Sequence, residues 1–202
     1  LRRLHRRVLV FDDGRSRARW IPESHNCPGF PSGVSGDQLL ARLKAQAKTY
    51  GANIQLERVD SLLAVLGGWR VETQSAQWSA PTVIIATGVV DRLPELSLGN
   101  AKEALRNGLL RSCALCDGYE ATDRRLAVVG PLAQATATAH YLSTFSADVT
   151  IVPIEDGTHP SNTPSTEGLA VLAPLKSLAC IDGGWKVNDA NDHVHWFDLV
   201  YA

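Results

Sequence analysis

The alternation of hydrophobic and polar positions divides the chain into short strands and a few helices. Between residues 36 and 50, leucines and alanines recur every three to four positions and the arginine and lysines fall on the opposite face. This pattern predicts an amphipathic helix that stops at Gly51. Short continuous apolar runs, typical of buried parallel strands, occur at 7–11, 82–86, 125–129 and 149–152.

The order of the predicted elements indicates the fold class. Two strand-like runs flank Gly67 and Gly68, which predicts a β-hairpin over 62–73. A helix at 132–145 between two of the apolar runs predicts a βαβ unit. The sequence therefore predicts an α/β fold of two related halves. The other predicted elements are a strand at 54–59, a helix at 101–110, a loop at 153–167 and strands at 175–181, 185–187, 193–196 and 199–201.

Composition narrows the class of protein. The chain has 202 residues, 45% of them hydrophobic, and a formal net charge of -1. A sizeable core can form, and no basic block predicts binding to nucleic acid or to an anionic membrane. No apolar run approaches the roughly 20 residues of a transmembrane helix, and no signal-peptide pattern is present. The chain starts at Leu1 and contains no Met, so we expect a truncated or processed piece of a longer protein.

Two of the four cysteines, Cys113 and Cys116, form a Cys-x-x-Cys motif followed directly by Asp117. As a redox dithiol, the pair can close one disulfide, and Asp117 can move protons to and from the departing thiols. As half of a zinc site it needs two more ligands, and no second Cys-x-x-Cys is present. Two structural cysteines are the third interpretation. An α/β chain with this cysteine usage fits a reducing, cytoplasmic compartment.

Residues 130–135 occupy the position of a dinucleotide fingerprint, between a strand and a helix. Gly130 and Ala135 match the pattern, but Leu132 replaces the middle glycine, which normally lets the backbone approach a pyrophosphate. After the next strand, residues 153–157 carry no cation for a 2′-phosphate. We therefore expect poor binding of NAD(P)H.

Two further stretches could line a ligand. Asp12 ends the first predicted strand, where an acid can bind a ribose or simply close a turn. Residues 15–35 are predicted to form a loop, rich in proline and glycine at 26–33, that could line a flat ring or lie on the surface. His25, beside this loop, is the one histidine of interest.

Taken together, these motifs resemble the low-molecular-weight thioredoxin reductase family of flavoproteins and related oxidoreductases. The matching stretches, which run in the family's order along nearly the whole chain, are 8–14, 26–33, 86–88, 113–118 and 127–130. The resemblance implies two Rossmann-like domains, the second inserted in the first. Residues 1–112 would be the central part of an FAD-binding domain, and 113–202 a pyridine-nucleotide-binding-like domain that carries the cysteines.

The resemblance also implies roles for single residues. Cys116 would face the flavin, Cys113 would attack the substrate disulfide, and Asp117 would act as acid and base. Asp12 would hold the FAD ribose. The other cofactor-binding residues implied are Asn26, Pro28 and Gly29 in the loop, Ala86, Thr87 and Gly88 beside the flavin, and Gly130 and Ala135 in the nucleotide domain. No metal ligand is implied.

The function expected from the resemblance is FAD-dependent thiol–disulfide exchange. Its substrate would be a thioredoxin-like protein or a small disulfide or dithiol, and its assembly a homodimer. Two alternatives remain open. The first alternative is a dithiol oxidase, in which electrons flow from a dithiol through FAD to oxygen, or a related enzyme whose electrons come from a donor other than NADPH. The second alternative is a non-catalytic remnant or binding module.

Overall fold

A computed structural model describes residues 1–154 and 164–202. Contacts divide the chain into two compact units, the first made of residues 1–19 and 36–90 and the second of residues 20–35 and 91–202. Most of the predicted loop at 153–167 lies outside the described residues. The same is true of most of the segment 153–157, which is expected to carry no cation for a 2′-phosphate. The cofactor assignments of 1–112 and 113–202 stay predictions.

The first unit contains one α-helix, a short 3-10 helix and two small sheets. The elements are a 3-10 helix Arg2–Leu4, β1 Leu9–Phe11, α1 Gly36–Thr49, β2 Asn53–Gln55, β3 Val59–Val65, β4 Gly68–Thr73 and β5 Gln77–Ala80. Strands β1 and β2 pair in parallel, and β3, β4 and β5 form an antiparallel meander. The predicted helix is confirmed. It ends at Thr49, and Gly51 follows with a φ of 71°, the left-handed conformation that glycine adopts at low cost. The predicted hairpin is confirmed as β3 and β4.

The predicted strand at 82–86 is wrong. These residues are extended but form no strand, and the side chains of Ile84 and Ile85 are 69% and 71% exposed. A strand needs a neighbour to satisfy its backbone N–H and C=O groups, and within the described residues none runs beside this segment. The predicted strand at 54–59 is also shorter than expected, because β2 ends at Gln55 and the chain enters the meander at Val59.

The second unit has a parallel sheet covered on both faces. Its elements are α2 Ala101–Arg106, β6 Leu110–Arg111, α3 Ala114–Asp117, a 3-10 helix Tyr119–Ala121, β7 Leu126–Gly130, α4 Leu132–Leu142, β8 Val149–Pro153, β9 Ala170–Val171, β10 Leu175–Ile181, β11 Gly184–Asp189, β12 Val194–Phe197 and β13 Leu199–Tyr201. A further 3-10 helix, Arg17–Trp20, crosses the boundary between the units. The parallel sheet has the order β6-β13-β7-β8-β9, and β10, β11 and β12 form an antiparallel sheet.

Side-chain alternation along β7 explains how this sheet is buried. Ala127 and Val129 join one core cluster with α2 and the antiparallel sheet, whereas Leu126 and Val128 join the other with α4. Successive residues of a strand point to opposite faces, so one apolar run fills both clusters. The result is a three-layer α/β arrangement around the predicted βαβ unit β7–α4–β8, which is confirmed. The predicted helices at 101–110 and 132–145 are confirmed but shorter.

Candidate redox site

The two cysteines of the Cys-x-x-Cys motif are bonded to each other across one helical turn. Cys113 and Cys116 form a disulfide with their Cα atoms 5.3 Å apart. Cys113 precedes α3 in an extended conformation, and the Cys116 N–H donates to the Cys113 carbonyl at 2.9 Å. The sequence interpretation in which the two sulfurs share one disulfide is therefore confirmed. Sulfurs bonded in this way cannot at the same time ligate zinc.

Close packing explains why residue 118, two positions after Cys116, is a glycine. Its N–H donates to the Ala114 carbonyl at 2.8 Å and so closes the turn. A Cβ at this position would lie 2.7 Å from the Ala114 oxygen and 2.8 Å from the ring of Phe145. Only glycine lets the end of α3 approach the segment that follows α4 this closely.

The Asp117 carboxyl group is held by two residues from neighbouring strands. Tyr201 of β13 donates its hydroxyl to Asp117 Oδ1 at 3.1 Å and lies 3.2 Å from the Asp117 carbonyl oxygen. Arg111 of β6 donates from Nη1 to the same carbonyl at 2.8 Å, and Nη1 lies 3.6 Å from Asp117 Oδ2. Sequence reasoning missed both residues, because only the register of β13 against β6, which pairs Tyr201 with Arg111, brings them together.

The environment changes the acidity of this group. Burial raises the pKa of Asp117, since it penalises the charged form, and the nearby Glu120 acts in the same direction. The charge of Arg111 and the hydrogen bond from Tyr201 oppose the rise without cancelling it. Burial, with the Asp117 charge, also raises the pKa of Tyr201, so its hydroxyl stays a donor. A carboxyl group that holds its proton longer than usual is suited to protonating a departing thiolate.

The proline- and glycine-rich loop contacts the redox pair through Asn26. The Asn26 side chain donates from Nδ2 to the Cys116 carbonyl at 2.9 Å, and Ser24 donates its hydroxyl to Asn26 Oδ1 at 2.8 Å. Pro28 and Gly29 form the centre of a tight turn in which Phe30 N–H donates to the Cys27 carbonyl. The φ of 87° at Gly29 requires glycine there.

A cavity of about 300 Å³ opens beside Cys116. Aromatic and aliphatic side chains form much of its wall, and Tyr141 meets Phe145 edge to face with ring centroids 5.5 Å apart. His25, the histidine of interest, also lines the cavity, and its Nε2 lies 3.3 Å from Glu23 Oε2. The residues that line it are His25, Asn26, Leu115, Cys116, Gly118, Tyr119, Glu120, Tyr141 and Phe145.

The junction between β7 and α4 holds the two residues expected to bind the second nucleotide. Gly130 ends β7, and a Cβ there would have no atom within 4 Å, so the junction is open. Ala135 is 2% exposed and packs in the core below it. Leu132 starts α4 and is 39% exposed. A branched side chain thus stands at the beginning of the helix, where the fingerprint has glycine.

The remaining predicted residues belong to the first unit. Asp12 follows β1 and is exposed, and its Oδ1 accepts from the Gly14 N–H at 2.9 Å. Ala86, Thr87 and Gly88 lie in the exposed extended segment. The second unit therefore brings together Cys113, Cys116, Asp117 and the loop that carries Asn26, Pro28 and Gly29. The binding roles of all these residues remain predictions.

Known proteins show what this arrangement is similar to. No protein-family model matches the chain. It is 36% identical over 138 residues to the thioredoxin reductase of Streptomyces coelicolor, a match that covers 66% of this chain and 41% of that relative. The chain is thus similar in sequence to thioredoxin reductases over 66% of its own length. Their fold is also present, since the thioredoxin reductase of Streptococcus pyogenes superposes with a TM-score of 0.78 at 22% identity, over 99% of this chain and 69% of that one.

A second solved structure gives the same picture. The crystal structure of HlmI superposes with a TM-score of 0.77 at 26% identity and covers 99% of this chain and 64% of HlmI. The resemblance to thioredoxin reductases and the Rossmann-like α/β fold expected from the sequence are both confirmed. The chain spans less than half the length of the curated thioredoxin reductases it matches. Of the helices within residues 1–154 and 164–202, none has the length and apolar character to cross a membrane.

Proposed function

We propose that this chain acts as an FAD-dependent thiol–disulfide oxidoreductase in which electrons pass between FAD and the Cys113–Cys116 pair, and between this pair and a disulfide substrate. The observation that carries the proposal is the bonded pair with a partly buried Asp117, whose pKa is raised, directly after it. The relationship to thioredoxin reductases supports the same chemistry.

The residues expected near FAD are compatible with such a ligand. Asp12 presents an exposed carboxylate at the end of a parallel strand, which suits a ribose hydroxyl. Gly88 has a φ of 66°, and no atom lies within 4 Å of the Cβ that it lacks, which leaves space for a ring. Bound FAD would supply and accept the electron pair.

The protein's own part of the reaction is thiol–disulfide exchange. In the reduced pair, the Cys113 thiolate attacks one sulfur of the substrate disulfide, and the other sulfur leaves as a thiolate. The Cys116 thiolate then attacks Cys113 Sγ, releases the second substrate thiolate and restores the Cys113–Cys116 bond. Asp117 exchanges protons with the leaving and attacking sulfurs. A thioredoxin-like protein or a small disulfide is the proposed substrate, and a cytoplasmic homodimer the proposed form.

One observation favours a second candidate. Leu132 places a branched side chain at the start of α4, where NAD(P)H binding normally needs glycine. A dithiol oxidase, or a reductase with another electron donor, does not need that glycine. In the oxidase, a dithiol would reduce the Cys113–Cys116 bond, and FAD would pass the electron pair to oxygen.

Flavin titration tests both candidates. We expect the chain incubated with FAD to bind it, and we expect a dithiol to reduce the flavin without oxygen in the wild type but not in Cys113→Ser or Cys116→Ser. Reduction by NADPH would favour the reductase, and peroxide release with a dithiol in air would favour the oxidase. A chain that does not bind FAD and leaves disulfides unreduced contradicts the proposal.

A further inference from the structure

We infer that Arg111 and Tyr201 are positioning residues that hold the Asp117 carboxyl group where it exchanges protons with Cys113 and Cys116. The inference rests on the proposed function, because it concerns the acid and base of that reaction. Neither residue belongs to the Cys-x-x-Cys-Asp-Gly motif. Both lie on strands of the parallel sheet, Arg111 just before Cys113 and Tyr201 more than 80 residues after α3.

The contacts restrain Asp117 at its main chain and at its side chain. Arg111 and Tyr201 both approach the Asp117 carbonyl oxygen, at 2.8 and 3.2 Å. Tyr201 also binds Oδ1, while Arg111 faces Oδ2. Each carboxylate oxygen thus has a different neighbour, and the group cannot rotate about its last bond without losing a contact. The orientation of the acid is therefore set by two side chains from outside the motif.

Both positioning residues are themselves well fixed. Tyr201 is 2% exposed and packs in the core under α4. Arg111 has a 15% exposed side chain, and its Nε donates to the Gly108 carbonyl at 3.1 Å. Because β13 and β6 are hydrogen-bonded neighbours with Tyr201 opposite Arg111, the sheet fixes the spacing of the two groups.

The groups around Asp117 determine how Arg111 and Tyr201 change its affinity for a proton. Arg111 on β6 and Tyr201 on β13 both favour the carboxylate, whereas Glu120, in the 3-10 helix that follows α3, favours the protonated acid. Burial also favours the protonated acid. If the Tyr201 hydroxyl is removed, one of the two groups that favour the carboxylate is lost, and Asp117 should hold its proton more tightly.

The test uses dithiothreitol, so it needs no flavin. Dithiothreitol gives two electrons and two protons to the Cys113–Cys116 bond, which yields two protein thiols and oxidised dithiothreitol. The rate is measured from pH 4 to 9 by acid quench, alkylation and mass measurement. Dividing each rate by that of Asp117→Asn removes the ionisation of the reagent. The wild-type ratio should be roughly tenfold or more at low pH and fall to one as Asp117 loses its proton.

Tyr201→Phe keeps the buried ring and removes only the hydroxyl. We expect the midpoint of its ratio curve to move to higher pH, corresponding to a roughly three- to tenfold tighter hold on the proton, the range of one net hydrogen bond. The carboxyl carbon-13 signal of Asp117 should titrate with the same displacement. Arg111→Gln should move the midpoint in the same direction. Tyr50→Phe, in the other compact unit, is the matched control and should leave it in place.

The outcomes separate this inference from the proposed function. If Asp117→Asn slows reduction but Tyr201→Phe and Arg111→Gln keep the wild-type midpoint, the positioning role is wrong and the proposed function stands. If Asp117→Asn is reduced at the wild-type rate at every pH, Asp117 does not act as acid and base, and the inference is wrong. Flavin binding and flavin reduction are measured in separate experiments, so the test of the proposed function does not depend on either result.

Discussion

The side-chain amide of Asn26 donates a hydrogen bond to the carbonyl oxygen of Cys116 at 2.9 Å, across 90 residues of sequence. The bond links the proline- and glycine-rich loop to the helical turn that holds the disulfide. The loop is anchored at its ends as well, because Ser24 and Val34 exchange two backbone hydrogen bonds. The redox pair is therefore supported from a segment far from its own motif.

Replacing Asn26 by alanine should loosen this support. We expect Asn26→Ala to lower the free energy of unfolding by about 0.5–1 kcal/mol, the net value of one exposed hydrogen bond. The amides of residues 27–33 should exchange hydrogen faster. Urea unfolding and hydrogen exchange measure both effects. Asn53→Ala, which removes an exposed contact with Gln55, is the control and should leave the exchange of these amides unchanged. Equally fast exchange at residues 27–33 in both variants would contradict the prediction.

A methyl group at Gly118 should disturb the packing behind the redox pair. In Gly118→Ala the new Cβ meets the Ala114 oxygen and the Phe145 ring, so we expect a loss of about 1–3 kcal/mol in the free energy of unfolding. Gly130→Ala adds the same atom where nothing lies within 4 Å and should change the stability by less than about 0.5 kcal/mol. Thermal or urea unfolding of both variants measures these two changes in stability. Equal stabilities would refute the steric argument.

Two aspartates should respond to pH with opposite signs. The pKa of Asp117 is raised by burial, so the folded state binds more protons than the unfolded state, and Asp117 costs stability as pH rises from 3.8 through its folded pKa. The free energy of unfolding of Asp117→Asn, relative to wild type, should therefore be greater at pH 7 than at pH 3.5.

Asp198 provides the opposite case. The Arg125 backbone N–H, at 2.9 Å, and the Arg125 guanidinium lower its pKa against the effect of burial. Its contribution to stability is present above pH 3.8 and is lost as pH falls through the lower folded pKa. Asp198→Asn should thus be destabilised most at neutral pH and least in acid. Urea unfolding at three pH values checks both signs, and parallel pH curves for the two variants would rule out the assignment.

The junction between β7 and α4, the proposed nucleotide site, should gain affinity for NADPH when the glycine pattern is restored. Leu132→Gly removes the side chain at the first residue of α4 and recreates the fingerprint with Gly130 and Ala135. We expect its Kd for NADPH to fall by roughly tenfold, which corresponds to about 1.4 kcal/mol. Leu132→Ala keeps a Cβ and should change little. Calorimetry gives both constants, and equal affinity of all three proteins would show that Leu132 does not limit binding.

Local patterns predicted a large part of this fold. The helix at 36–50, the hairpin around Gly67 and the βαβ unit follow from periodicity and turn residues that lie within a few positions of each other. The disulfide follows from the spacing of Cys113 and Cys116 for the same reason. The strand at 82–86 failed because a strand also needs a partner, and an apolar run such as Ile84-Ile85 carries no information about its neighbour.

The surroundings of Asp117 could not be predicted in the same way. Its position after Cys116 identified it as a candidate acid, but its proton affinity depends on Arg111 and Tyr201, which are 90 residues apart. Only the register of two strands places them together. A tyrosine in an apolar run reads as a core residue, and nothing local shows that its hydroxyl meets a carboxylate.

The position of β13 between β6 and β7 constrains how the chain matures on the ribosome. Strand β6 ends at residue 111, but the strand that must lie beside it starts at residue 199. At a synthesis rate of about 5–20 residues per second, the intervening stretch takes roughly 4–18 s to emerge. During that interval the backbone N–H and C=O groups of β6 that later pair with β13 have no strand beside them, so this part of the sheet cannot close until Tyr201 leaves the exit tunnel.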